Sequence, residues 1–441
     1  MRPLNPGSAG IFCRDKEKMV VGVYDAADAE LAAQYDNWPY PQRDPRDETK
    51  RLLIGSPGHL KEIDYWVFGA RRPEDRFLRI LIAGCGTGDA AIMLATHLSR
   101  AGRPGEVICL DRSEAALGIA GERAAVRGLE NIRFVKGSLL DTPFPVEGCF
   151  DYIDCCGVLH HLPDPDAALS RLASLLAPGG GMGLMVYAPY GRTGVYALQD
   201  ALAVLAPHDL PPTNRLDTAR RVMKNLPATA WLNANGNFGD HLTGGDAGLY
   251  DLVLNPRDRA YDIGAFLRLI HGAGLEVSCL MEPARYEPAH FLPDPRLRAR
   301  LAELPFEERA SVAEQLTGNM ATHVAYVVRG GETVERPDCL DRSAVPIMRE
   351  IPGVELARQM TPDHRLPFAF GTLTVPFALP PQTRGLLPLI DGERTVGDLA
   401  AMLESRGVGS AQFDRVWHEA FTTLESLNRV LLRGPRSETT S

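Results

Sequence analysis

The sequence predicts an α/β protein with a doubly wound, mostly parallel sheet, and three observations carry that prediction. An apolar run at 80–83 leads into a GCGTG loop at 84–88, and a helix-forming stretch follows the loop. A second apolar run at 107–110 ends in Asp111, about twenty residues after the loop. Short apolar runs then alternate with helical patterns as far as about residue 330, which is typical of consecutive βαβ units.

The glycine loop predicts a nucleotide-like ligand. Gly84, Gly86 and Gly88 let the backbone turn sharply and approach a ligand closely, and Asp111 can accept hydrogen bonds from a ribose diol. A GxGxxG dinucleotide fingerprint would need glycine at 89, where Asp89 stands. Because a carboxylate at a helix start opposes a pyrophosphate, NAD and FAD are disfavoured. A cationic sulfonium carries no phosphate and tolerates Asp89.

A strand followed by GCGTG resembles the first motif of the class I S-adenosylmethionine-dependent methyltransferases. The resemblance covers about residues 76–330, and the stretch 155–164 is similar to the small-molecule branch of that family. It implies a Rossmann-like, seven-stranded sheet with an antiparallel last strand, and S-adenosylmethionine as the cofactor. The later strands are predicted at 132–136, 150–154, 182–187, 273–278 and 323–328.

The same resemblance implies a cofactor site at the ends of the first four strands. Asp111 would bind the ribose hydroxyls, Arg112 would lie beside the adenine, and Ser138 stands where many members have Asp. No metal site is predicted, because the eight cysteines form no CxxC pair. The predicted cofactor-binding residues are Gly84, Cys85, Gly86, Gly88, Asp111, Arg112, Ser138, Leu139 and Cys156.

The methyl acceptor is predicted to be a small molecule with an oxygen, sulfur or carbon nucleophile. A hydroxyl acceptor needs a general base, and a thiol must react as its thiolate. Relatives that methylate DNA or glutamine carry an Asn/Asp-Pro-Pro-aromatic motif after the fourth strand, where this chain has AspCysCysGly at 154–157. The candidate catalytic residues are Tyr24, Tyr40, His160, His161, Tyr190 and His241, with Tyr35 and Tyr187 as further candidates for acceptor contact.

Each of these candidates has a structural alternative. The tyrosines of the N-terminal segment can simply pack a lid against the core. The histidine pair at 160–161 recurs in relatives with very different substrates, which favours a structural role. A protein methyltransferase and a non-catalytic S-adenosylmethionine-binding scaffold are the alternative functions.

Four regions are predicted along the chain. Residues 1–75 form a lid or arm, and residues 76–330 form the catalytic domain with an insertion at 188–262. The insertion either covers the substrate or forms a surface or dimerising hairpin. Residues 331–360 are predicted to be a linker, and 361–441 resemble a small winged-helix module through the DGxRTVxDL pattern. That module is expected to dock a protein partner or to form a homodimer.

Composition limits the classes of partner. The net charge of −9, from 47 basic and 56 acidic residues, argues against non-specific nucleic-acid binding. No apolar run is long enough to span a bilayer, and the first residues lack the apolar core of a signal peptide. We therefore expect a cytoplasmic enzyme with no membrane or nucleic-acid partner.

Overall fold

Seven strands form one mixed sheet in the computed structural model, which describes residues 26–237 and 239–434. The strands are β1 (Leu78–Ala83), β2 (Gly105–Asp111), β3 (Ile132–Lys136), β4 (Phe150–Cys156), β5 (Leu176–Tyr187), β6 (Leu275–Leu280) and β7 (Thr322–Arg329). Their spatial order is β3-β2-β1-β4-β5-β7-β6, and β7 runs antiparallel to both of its neighbours. The predicted seven-stranded, doubly wound fold with an antiparallel last strand is confirmed.

The strand order places the ligand crevice. The chain leaves β1 towards β2 and β3 on one side and returns to β4 and β5 on the other, so the order reverses between β1 and β4. Doubly wound sheets bind ligands at the carboxyl ends of the strands flanking such a reversal. β1 is almost wholly buried because its LeuArgIleLeuIleAla sequence is apolar on both faces.

Helices cover both faces of the sheet, and two further helices precede its first strand. Local sequence sets their ends: Ser113 caps the helix after β2 by accepting from the Ala116 amide, and Gly128 ends that helix with positive φ. The helices before residue 330 are α1 (Ala26–Asn37), α2 (Leu60–Glu62), α3 (Asp89–Ala101), α4 (Glu114–Arg127), α5 (Pro165–Ser174), α6 (Val195–Leu205), α7 (Pro212–Lys224), α8 (Trp231–Ala234), α9 (Asp240–Thr243), α10 (Gly245–Val253), α11 (Ile263–Gly272), α12 (Pro295–Ala302) and α13 (Phe306–Thr317).

The insertion between β5 and α11 is helical and has an apolar core of its own. The sequence has helical patterns at 195–206 and 215–226, and these correspond to α6 and α7. The Gly/Asn/Asp-rich stretch at 233–248, whose composition is typical of a loop, contains α9 and the start of α10. The apolar face of α10 packs against α6 and α7, and this tertiary contact outweighs the poor helix propensity of its glycines.

The C-terminal unit is α+β and begins earlier than expected. Its elements are β8 (Val345–Met348), α14 (Gly353–Gln359), β9 (Arg365–Phe370), β10 (Leu373–Ala378), α15 (Thr383–Leu386), α16 (Val396–Glu404), α17 (Ser410–Ser426) and β11 (Val430–Arg433). β8 pairs with β11, and β9 pairs with β10. Residues 345–359, expected in a linker, therefore belong to this unit, and its winged-helix character stays a prediction.

The C-terminal unit shares an apolar core with the sheet. Trp417 and Phe421 of α17 belong to the same buried cluster as Ile63 and Trp66, next to α2, and Tyr326 of β7. In the two described ranges, no helix combines the length and the apolar composition needed to cross a bilayer.

Candidate functional site

A cavity of about 450 Å³ lies at the carboxyl edge of β1, β2 and β4. The N-terminal segment and the insertion complete its walls through Tyr35 and Asp251. Eight of the nine predicted cofactor-binding residues line it: Gly84, Cys85, Gly86, Asp111, Arg112, Ser138, Leu139 and Cys156.

Two glycines shape the wall at the end of β1. Gly84 has a φ of +80°, and a Cβ there would lie 2.4 Å from a methyl carbon of Val158. Gly86 has a φ of +50°, and a Cβ there would lie 2.8 Å from the carbonyl oxygen of Tyr40. Any side chain at either position would therefore meet both strain and collision.

Gly88 has a different role from the one predicted. It does not line the cavity but precedes α3 with a φ of +97°. A Cβ at this position would lie 2.8 Å from the Cβ of Ala120 on α4. Glycine at position 88 therefore lets α3 and α4 pack closely.

Asp111 is held rigidly at the end of β2. Its Oδ2 accepts from the Gly86 amide at 2.7 Å, and its Oδ1 accepts from the Ser113 amide at 2.9 Å. Burial raises the pKa of this carboxyl, and the two amides act against that shift. Each carboxylate oxygen keeps a further lone pair, so Asp111 can accept bonds from a ligand diol as well.

Asp89 also lines the cavity, in the first turn of α3. Its Oδ2 lies 2.6 Å from the Arg43 guanidinium, and its Oδ1 lies 2.7 Å from that of Arg123. Burial acts to raise the pKa of Asp89, but the two arginines outweigh it and the pKa is lowered. The carboxylate therefore stays ionised and fastens the N-terminal segment over the glycine loop.

A buried polar group lies on the side of the cavity formed by β5 and the insertion. Asp251 of α10 accepts a hydrogen bond from the Tyr35 hydroxyl at 3.0 Å and one from the Tyr187 hydroxyl at 3.5 Å. Gln34 and Asn255 donate to the same carboxyl. Burial raises the pKa values of Asp251, Tyr35 and Tyr187, so both phenols keep their protons at neutral pH.

His161 lines the cavity and His160 does not. The Nδ1 of His161 lies 2.6 Å from the Arg257 carbonyl oxygen, and since a carbonyl only accepts, that nitrogen carries the proton. Its Nε2 is left with a lone pair. His160 is fully buried and stacks on Tyr187 at 3.8 Å, and burial lowers its pKa well below the usual value. The structure therefore gives His160 a packing role beside Tyr187.

Asp154, at the end of β4, is a buried carboxyl in the cavity wall. Its Oδ2 accepts from the Tyr152 hydroxyl at 3.1 Å, and its Oδ1 has no partner among the described residues. Burial raises its pKa to about 7. An unpartnered carboxylate oxygen of this kind favours a ligand that donates hydrogen bonds or carries positive charge.

The comparisons with known proteins agree with this geometry. Residues 80–180 match the protein family described as "Methyltransferase domain". This part of the chain is similar to a methyltransferase domain. PKMT2 from Rickettsia typhi, solved in complex with AdoHcy, shares the fold with a TM-score of 0.59 over 86% of this chain and 76% of that one, at 14% identity. Domain and fold support the predicted enzyme class and its cofactor, S-adenosylmethionine.

Two curated relatives match parts of the chain. An uncharacterized protein from Synechococcus is 33% identical over 250 residues, which cover 56% of this chain and 58% of that protein. The demethylmenaquinone methyltransferase of Geobacillus kaustophilus is 36% identical over 96 residues, which cover 22% of this chain and 39% of that enzyme. The chain thus spans less than two thirds of the length of these relatives.

The other predicted catalytic residues are scattered around the methyltransferase domain. Tyr40 lines the cavity, whereas Tyr190 is 36% exposed and lies outside it. Tyr24 precedes the described residues, and the side chain of His241, on α9, is outside them as well. The structure therefore brings Tyr40 and His161 together at the cavity and does not bring Tyr190 or His160 there.

Sequence reasoning missed Asp251. It lies 64 residues beyond its partner Tyr187, and the stretch around it carries no motif. The available signal was an acidic residue on the apolar face of a helical pattern, GlyLeuTyrAspLeuVal at 248–253. Asp154 was also missed as part of the cavity wall, although it adjoins the motif at 155–164.

A cluster of possible metal ligands lies apart from the methyltransferase cavity. The candidate ligand atoms of His59, His97 and Glu350 lie within 4.8 Å of one another. The Lys61 amide donates to His59 Nδ1, and His59 Nε2 lies 2.5 Å from the Glu350 carboxylate. Because Nδ1 accepts, Nε2 carries the proton that it donates to Glu350. That proton occupies the nitrogen a metal would need.

Proposed function

We propose that this chain is an S-adenosylmethionine-dependent methyltransferase that acts on a small-molecule acceptor. The observation that carries the proposal is the cavity itself, in which Gly84, Gly86 and Asp111 of the methyltransferase domain meet. The name of the Geobacillus relative supports a small acceptor. So does the covering of the cavity by Tyr35 from α1 and Asp251 from the insertion, because a chain segment would need a more open approach.

The residues present fit the cofactor. Asp111 would hold the ribose hydroxyls, and Ser138 and Leu139 would border the adenine. Gly84 and Gly86 give the loop at the end of β1 its positive-φ turn and let Val158 and the Tyr40 carbonyl close on that loop. Asp89, whose pKa is lowered by its two arginines, adds negative charge to the wall, which suits a cation. When bound, S-adenosylmethionine supplies a methyl group on a positively charged sulfur.

The protein's part in such a transfer is alignment and exclusion of water. Tyr40 and Pro41 cover the glycine loop, and Thr87 Oγ1 fixes this cover by donating to the Pro41 carbonyl at 2.7 Å. Tyr35 and Tyr187 present rigid phenol groups held by Asp251. A rigid wall of this kind positions an acceptor and keeps bulk water from it.

His161 is the residue we propose as general base for a hydroxyl acceptor. Its Nε2 lone pair is available at the cavity wall because Nδ1–H is committed to the Arg257 carbonyl. The same bond fixes the ring orientation, as a catalytic histidine requires. Replacing His161 with glutamine is expected to lower kcat at neutral pH without loss of cofactor binding. His271→Gln is the matched control, because His271 is half-exposed and remote from the cavity.

A protein methyltransferase is the second candidate. It is favoured by the likeness in fold to the protein methyltransferase PKMT2, which extends over 86% of the chain and so beyond residues 80–180. In that case the C-terminal unit would recruit the target chain.

Transfer of a labelled methyl group separates these functions. The purified protein would be incubated with methyl-labelled S-adenosylmethionine and, separately, with the low-molecular-mass and the protein fractions of a bacterial extract. The proposal predicts label in a small molecule. Label confined to polypeptide would favour the second candidate, and cofactor binding with no transfer to either fraction would favour a scaffold.

A further inference from the structure

A second cavity, of about 240 Å³, lies between the methyltransferase sheet and the C-terminal unit. It is lined by Glu282 and Arg285, which follow β6, and by Arg349 and Arg429 next to β8 and β11. Thr322, the first residue of β7, lines both this cavity and the larger one. The two cavities therefore adjoin each other along the carboxyl edge of one sheet.

Two of the three arginines have unused hydrogen-bonding capacity. The buried Nε of Arg285 has no hydrogen-bond partner in residues 26–237 and 239–434. The Nη2 of the same side chain forms a long ion pair with Glu282, at 3.5 Å. The Arg429 guanidinium has no hydrogen bond or ion pair within those ranges. Burial lowers the pKa of Arg429. Guanidinium N–H donors that lack acceptors at a cavity wall favour an anionic ligand, so this cavity suits one.

The C-terminal unit places an aromatic ring against each of these two arginines. Arg429 lies over the ring of Phe368 at 4.5 Å, and Arg285 lies over that of Phe370 at 5.6 Å. Both rings belong to β9 and point to the same face, two residues apart. Stacking on an aromatic face leaves the N–H edges of a guanidinium free and oriented, which suits bidentate binding of an oxyanion.

The charges around the cavity leave a net positive site. Arg349 is committed to Glu62, with Nε to Oε1 at 2.6 Å, and to the carbonyl oxygen of Gly55. Glu282 is the remaining acid, and burial raises the pKa of its carboxyl. Glu282 also has a φ of +54°, which a non-glycine residue adopts at a cost and which is found near functional sites.

We propose that this arginine cavity, defined by Arg285, Arg429 and their Phe370 and Phe368 supports, binds an oxyanion group of the methyl acceptor, either a carboxylate or a phosphate. The inference rests on the proposed function and specifies its substrate class as an anionic small molecule. The anionic end would sit at the two arginines while the nucleophile reaches past Thr322 into the cofactor cavity. The C-terminal unit would then select the substrate.

The first test is anion binding to the full chain. Inorganic phosphate and malonate would each be titrated calorimetrically and by thermal shift, with chloride at equal ionic strength as reference. Arg429→Gln and Arg285→Gln are expected to weaken binding of the preferred anion by roughly tenfold or more. Arg429→Lys keeps the positive charge but loses the planar guanidinium, so this variant should retain part of the wild-type anion affinity. Arg296→Gln, at an exposed position on α12, is the matched control.

The outcomes separate this inference from the function it rests on. Binding of phosphate or malonate that the two Gln variants lose and the Arg296 control keeps supports the arginine cavity and tells the two anion classes apart. Equal binding by all variants, or none by the wild type, overturns it. Titration with S-adenosylhomocysteine checks the fold of each variant and tests the proposed function independently. As a second readout, the labelled acceptor should be retained on an anion exchanger, and label found solely in the unretained fraction would also overturn the inference.

Discussion

Gly86 and Gly102 have similar backbone conformations and very different surroundings. Both have positive φ, +50° and +61°, so each pays for a left-handed backbone if it gains a side chain. A Cβ at Gly102, which ends α3, meets nothing within 4 Å, whereas one at Gly86 meets the Tyr40 carbonyl. Substitution at Gly102 therefore adds backbone strain alone, whereas substitution at Gly86 also changes the shape of the cavity.

Gly86→Ala is expected to weaken binding of S-adenosylhomocysteine by roughly tenfold or more, because the new methyl group pushes on the cover of the cavity. Gly102→Ala should keep wild-type affinity and lose about as much thermal stability as Gly86→Ala, because both positions have positive φ. Calorimetry and thermal unfolding of both variants make the comparison. Equal affinities in the two variants would contradict this role of Gly86.

Asp154 predicts a pH dependence of stability. Burial raises its pKa to about 7 in the folded protein, against about 3.9 in an unfolded chain. The folded state therefore holds a proton that the unfolded state releases, and this contribution is fully present below about pH 4 and lost as pH rises through 7. This pKa shift corresponds to a loss of up to ~4 kcal/mol in the free energy of unfolding between low and high pH.

Urea unfolding at pH 5 and pH 8 tests that contribution with an Asp154→Asn variant. Relative to the wild type, the variant should be more stable at pH 8 than it is at pH 5. The reason is that a neutral amide does not ionise, whereas the buried carboxyl of the wild type must do so at pH 8. A free-energy difference between variant and wild type that is the same at both pH values would show that Asp154 does not titrate in this range.

The sequence places residues at the cavity where a motif is local, while their part in cofactor binding stays a prediction. Gly84, Gly86 and Asp111 lie within one βαβ unit, so a short motif was enough to place them at the cavity. Gly88 belongs to the same motif but packs on Ala120, a contact that depends on how α3 crosses α4. Asp251 and its partner Tyr35 meet across 216 residues, and no spacing rule links them.

At the scale of elements, the cavity is closed by two segments that touch each other. The ring of Trp38, just after α1, stacks on that of Tyr250 of α10 at 4.6 Å and 20°. Arg215 of α7 donates to the Tyr250 hydroxyl at 3.0 Å and so supports the same ring. The N-terminal segment and the insertion thus form one continuous cover over the cofactor cavity.

Trp38→Ala is expected to raise the dissociation rate of S-adenosylhomocysteine by roughly two- to tenfold, the worth of one aromatic pair. Trp231→Ala provides the control, because Trp231 lies on the same insertion and is 67% exposed. Stopped-flow displacement measures both rates. An unchanged rate in Trp38→Ala would mean that the cover does not limit release.

Residues 331–360 were predicted to be a linker, but they contain β8 and α14, and the sequence gives little sign of either element. β8 is four residues long and is stabilised by pairing with β11, which lies more than eighty residues further along the chain. A short edge strand of this kind has too few residues to show a periodic pattern. The start of α16 does carry a local signal, because Thr395 and Asp398 form a capping box.

Across the whole molecule, Glu62 joins the N-terminal segment, the sheet and the C-terminal unit. This fully buried carboxylate accepts from Tyr326 of β7 at 2.7 Å, from Arg349 at 2.6 Å and from Asn428 at 2.6 Å. The apolar residues around it form one cluster that spans the sheet and the C-terminal unit. We therefore expect the two to unfold as one cooperative body.

Glu62→Ala should destabilise the protein by about 3–5 kcal/mol, because the buried Arg349 would lose its counter-charge. Glu404→Ala, at an exposed position at the end of α16, is the control and should stay near the wild-type value. Chemical denaturation followed by far-UV circular dichroism measures both. A loss below 1 kcal/mol for Glu62→Ala would contradict a central role for this carboxylate.

S-adenosylmethionine is expected to bind in the cavity at the carboxyl edge of β1, β2 and β4 through Asp111. Isothermal titration of the wild-type protein and of Asp111→Ala with S-adenosylmethionine and with S-adenosylhomocysteine tests it most directly. Both ligands should bind the wild type saturably. The variant should bind each of them more weakly by about 1–3 kcal/mol, the contribution of one charge-assisted pair of hydrogen bonds. Binding of neither ligand, or equal affinity in the folded variant, would contradict it.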